Sequence, residues 1–77
     1  MICNMLAISD ELFAELVEKA QWIAHDIEMR WAALGIDVEK DSYYMGLCDL
    51  FRRFDEGERS PDLFVELLEG VLDYVSD

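Results

Sequence analysis

Basic residues are scarce in this chain. Six Lys and Arg stand against 18 Asp and Glu, a formal net charge of −12 with the one histidine neutral. That deficit excludes unaided binding to DNA, RNA or an anionic membrane face, because like charge repels the chain from phosphate. Cysteine is scarce too, and two residues, Cys3 and Cys48, are too few for a disulfide-stapled mini-domain. Their separation fits no zinc pattern and His25 is near neither, so a reduced cytoplasmic protein is expected, with Cys48 a small core residue. Long apolar runs are missing, and none approaches the roughly 20 residues that span a bilayer. The opening MICNMLAI is apolar but has no basic flank, is interrupted by Asn4 and runs into Asp10 and Glu11, unlike a signal peptide.

What is present is apolar surface. Hydrophobic residues make up 53% of the 77 positions, enough to exclude disorder despite the charge. The length allows one small domain over residues 1–77, which opens with an apolar lead at 1–8. At this size about 60% of the unfolded chain's surface can be buried, so one core does all the stabilising. Salt adaptation is another source of such acidity, but the nine aromatic residues (two Trp, three Tyr, four Phe) count against it. Self-repulsion predicts a melting temperature that rises with added salt and as pH falls from 8 toward 5.

Turn signals at Gly35 and at Asp55–Pro61 divide the remainder into three helical segments, the pattern of an all-α three-helix bundle. The first spans about 9–34, capped by Ser9, with Asp10 and Glu11 on its positive end, Ile8 stapled to Phe13, and a left-handed stop at Gly35 that folds Ile36 back on Trp31. Phe13, Leu16, Val17, Ala20, Ile23, Ala24, Ile27, Trp31 and Leu34 follow a 3-4 spacing that makes one core-facing stripe. The second helix starts at Asp41 or Ser42 and fades near Phe54, with Gly46 permitting a close approach. The third opens on Ser60 and Pro61, runs to Val75, and is apolar over more than half its circumference, so it is expected to be the most deeply buried. Helices of about 14 residues reach only about 20 Å and cannot cover the first, which is about 37 Å long. Either the lead (Ile2, Met5, Leu6) or a second copy covers the rest, and a homodimer is the preferred expectation.

Two ridges carry the candidate function. On the first helix, Glu11, Glu15, Glu18, Trp22, Asp26 and Met29 form a line opposite the core stripe, with an indole and a thioether breaking an acidic face. Such breaks in binary pattern mark sites of use, and Trp is enriched at interface hot spots. The plain alternative is that a neighbouring helix or dimer mate covers this ridge. On the third helix, Asp62, Glu66, Glu69 and Asp73 align with no basic residue of that helix between them, although an ordinary acidic surface would look the same.

No enzymatic chemistry is expected. His25 has nearby carboxylates but forms neither a dyad nor a transition-metal site, and Asp37–Asp41 lacks the glycine turn and bidentate Glu of a calcium loop. No serine has a partnered histidine and no glycine-rich phosphate loop exists, so neither cofactor nor metal is implied. Arg52, Arg53 and Arg59 form the one basic cluster, explained by the i, i+4 pairs Asp49–Arg53 and Arg52–Glu56. The expected partner is a basic, nucleic-acid-binding protein, which two rows of carboxylates would meet as a nucleic-acid mimic. This makes the chain a small inhibitor of anti-CRISPR, anti-restriction or nuclease-immunity type. The competing reading is a helical adaptor or homodimerisation module whose acidity only keeps it soluble.

Overall fold

The computed structural model describes residues 8–75. Helix α1 runs Asp10–Leu34, a single 3-10 turn follows at Val38–Lys40, and helices α2 (Ser42–Asp55) and α3 (Pro61–Val75) complete the order. The termini are built as their residue types dictate. The Ser9 side chain accepts from Leu12 N–H at 3.2 Å, and Asp10 and Glu11 occupy the first turn. At the other end Gly35 sits at φ 72°, with its N–H on the Ala32 carbonyl and Ile36 N–H on the Trp31 carbonyl at 3.2 Å. Only a residue without a Cβ takes that conformation freely. Ser60 Oγ likewise accepts from Leu63 N–H at 3.2 Å and starts α3.

The chain is an up-down-up three-helix bundle. Phe13 meets both Phe54 and Phe64, while the far end of α1 reaches Tyr44 through Glu28 and Tyr74 through Asp26. Helix α2 therefore runs antiparallel to α1, and α3 parallel to it. The core comprises Phe13, Leu16, Val17, Ala20, Ile23, Ala24 and Ile27 from α1, Leu47 and Leu50 from α2, and Leu63 and Leu67 from α3. Phe13 is fully buried at the convergence of the helices, and its truncation to Ala would cost about 3–5 kcal/mol.

Several details depart from the sequence reading. Leu34 shares the stripe's angle but is 69% exposed, because α1 outruns its partners there. Helix α3 is not the most deeply buried element: Leu68 and Leu72 on its outer side are exposed, and α1 supplies seven of the eleven core residues. Cys48 is half-buried rather than in the core. The close approach is made by Gly70, where an added Cβ would lie 3.3 Å from Leu47 Cδ2, whereas one on Gly46 would meet nothing within 4 Å. The expected lead (Ile2, Met5, Leu6) lies outside the described residues. Among the described residues no helix is long and apolar enough to cross a membrane.

Candidate protein-interaction surface

The outer ridge of α1 divides into two unlike halves. Glu11, Glu15 and Glu18 are exposed, and their carboxylates have no side-chain partner among the described residues. Next along the line, Trp22 is 71% exposed and Met29 is 59% exposed. Nothing from α2 or α3 covers the indole, which lines a shallow apolar depression with Glu18, Gln21 and His25. Among the described residues, no other helix shields Trp22 or Met29.

Asp26 departs from the ridge. Its carboxylate accepts from the Tyr74 hydroxyl of α3 and pairs with Arg30 at 3.1 Å. It fastens α1 to α3 and is half-buried. The bond to this carboxylate holds the Tyr74 hydroxyl above its ordinary ionisation range, with desolvation adding to the effect and the Arg30 charge opposing it. A second tyrosine does the same on the other flank. The Tyr44 hydroxyl donates to Glu28 at 2.7 Å, and that bond, followed by desolvation, pushes Tyr44 upward as well. The third, Tyr43, donates to the Gly70 carbonyl and ties α2 to α3.

The α3 ridge is also divided. Glu66 is bound by Arg53 of α2 at 2.9 Å. Asp62, Glu69 and Asp73 are exposed, without a side-chain partner among the described residues. The predicted Asp49–Arg53 pair does not form. Asp49 instead meets Arg52 at 2.5 Å, and Arg52 also reaches Glu56 at 3.2 Å. Arg53 turns to the other side of α2, where it forks onto Glu58 at 2.6 Å and onto Glu66. With Arg53 and Ser60 both donating to it, Glu58 is held down at about 2. Arg59 stacks its guanidinium 3.8 Å from the Phe54 ring centroid, which closes the bottom of the bundle.

The surface is thus sorted into carboxylates that hold the fold and carboxylates that do not. Sequence spacing missed the first group, because Tyr74–Asp26 and Tyr44–Glu28 join residues 48 and 16 positions apart. The three tyrosines, Tyr43, Tyr44 and Tyr74, were the one available signal. His25 is on the surface, 3.9 Å from Glu28. Among the described residues no three His, Cys, Asp or Glu side chains gather where a metal ion could sit. Set against family models, curated proteins and solved structures, the chain matches none.

Proposed function

We propose that this protein is a non-enzymatic, cytoplasmic interaction module that inhibits a nucleic-acid-processing protein by covering its basic surface, in the manner of anti-CRISPR, anti-restriction or nuclease-immunity proteins. The observation that carries the reading is the outer line of α1, where unpaired Glu11, Glu15 and Glu18 lead directly to an uncovered Trp22. The three glutamates advance by about 6 Å and about 4.5 Å along the helix axis, a spacing of the order of successive phosphates on a nucleic-acid strand. A row of fixed anions of this kind accelerates encounter with a basic groove. The indole adds the desolvated anchor that charge alone does not supply.

The test is capture of the native partner at low and high salt, followed by its identification. Expected is a basic nucleic-acid-binding protein, retained at low salt and lost with Trp22→Ala or with Glu15→Lys/Glu18→Lys. Capture indifferent to all these changes overturns the reading. A second reading rests on the shared exposure of Trp22 and Met29 on one face: they form the seam of a homodimer. In that case Trp22→Glu converts a dimer to a monomer in light scattering, and no basic partner is retained.

A further inference from the structure

Between α2 and α3 runs an open groove of about 370 Å³. Its floor is apolar, made by Gly46, Leu47, Leu50 and Gly70. Its rim carries the carboxylates Asp49, Glu66, Glu69 and Asp73. We propose that this groove seats an arginine side chain from a basic segment of the partner, with the guanidinium between Glu69 and Asp73 and the methylene stem over Leu47 and Leu50. The proposal rests on the reading of a basic partner given above and locates a second contact on a different face from Trp22.

Two observations and a match of chemistry support it. The chain already supplies an example of the binding mode, since Arg53 places its guanidinium against Glu66 at one end of this rim with little exposure. Further along α3 the row continues through Glu69 and Asp73, one helical turn apart, where no arginine of the chain arrives and neither carboxylate has a side-chain partner among the described residues. The second observation is Gly46. A glycine inside a helix costs about 1 kcal/mol relative to alanine, and packing within the chain does not require it, since a Cβ there would meet nothing within 4 Å. With no side chain at Gly46, that part of the groove stays open to the incoming methylene stem. The chemistry matches as well: apolar floor to methylene stem and paired carboxylates to planar guanidinium, which lysine's compact charge fits less well.

The probe is the blocked peptide acetyl-Gly-Arg-Gly-Arg-Gly-amide, titrated into the full chain and followed by amide NMR shifts, with the citrulline analogue as the uncharged control. Shifts should centre on Gly46, Glu69, Gly70 and Asp73 with the arginine peptide only. Glu69→Gln/Asp73→Asn should weaken binding about tenfold or more. Gly46→Leu should do the same while retaining the circular dichroism and melting of a folded helix. Shifts centred instead on Glu11–Glu18, or an affinity unchanged by both variants, overturn the groove. The two proposals fail separately. Native partner capture that responds to Trp22→Ala but not to the groove variants overturns the groove alone. A peptide that titrates into the groove, while Trp22→Ala and Glu15→Lys/Glu18→Lys leave native capture unchanged, supports the groove and overturns the proposed function.

Discussion

The Trp31 indole N–H donates to Asp41 Oδ2 at 2.9 Å, while Oδ1 of the same carboxylate accepts the N–H groups of Tyr43 and Tyr44 at 2.9 and 3.1 Å. One side chain thus caps α2 and ties its start to the end of α1. The two functions separate by substitution. Asp41→Ala removes both and should cost about 2 kcal/mol, combining a lost cap with a lost hydrogen bond. Asp41→Asn keeps an oxygen for the cap but turns a donor toward the indole, and should cost about 1 kcal/mol. In a domain of this size each kcal/mol lowers the melting temperature by about 4–8 °C, readable by circular dichroism. Equal losses in the two variants would show that the cap contributes nothing, and an unchanged melting temperature in Asp41→Asn would show that the indole bond contributes nothing.

Alkaline titration follows from the two tyrosine–carboxylate bonds. Both Tyr44 and Tyr74 are raised above the ordinary 10.0, first by bonds to Glu28 and Asp26 respectively. A raised folded value means that the neutral phenol is favoured in the fold. That stability is complete below the ordinary value and disappears as pH climbs through the folded one. Phenolate absorbance should therefore show two tyrosines titrating late. In Asp26→Asn one of them should move back toward 10.

Glu58 gives the opposite sign in acid. Its value is depressed from the ordinary 4.5 to about 2 by Arg53 and Ser60, so its contribution is present above 4.5 and disappears as pH falls toward 2. The whole chain, repelling itself, responds in the other direction. The comparison is therefore native against Glu58→Gln. A gap in melting temperature near neutral pH should close near pH 2. A gap of constant width would show that the Arg53 pair is not its source.

Trp22 and Trp31 should behave unlike each other. Trp22 stands 71% exposed and touches no core residue of α2 or α3, so Trp22→Ala should change urea stability by no more than about 0.5 kcal/mol. Trp31 packs against the core and holds Asp41, and its truncation to Ala should cost about 3 kcal/mol. A large loss from Trp22→Ala would make that residue structural and remove the anchor from the proposed interface.

How much was legible in advance depended on distance along the chain. Ser9, Gly35, Ser60 and Pro61 act within one helical turn, so the boundaries of α1 and α3 could be read directly. The α1 stripe held from Phe13 to Ile27 and failed at Leu34, where the angle was right but the side chain stays exposed among the described residues. Glu11, Glu15, Glu18, Trp22 and Met29 lie exposed on the face opposite the core stripe. Asp26 and Glu66 did not remain free, because Tyr74 and Arg53 reach them from other helices.

Local periodicity and end chemistry therefore determined, from the sequence alone, that three helices form, where the long ones stop and which way α1 faces its core. Tertiary structure decided which carboxylates are occupied, which glycine is needed for packing, and that a groove opens between α2 and α3. The reason is geometric: helical spacing sets angles about one axis, but whether a charge finds a partner depends on how three axes are placed against one another.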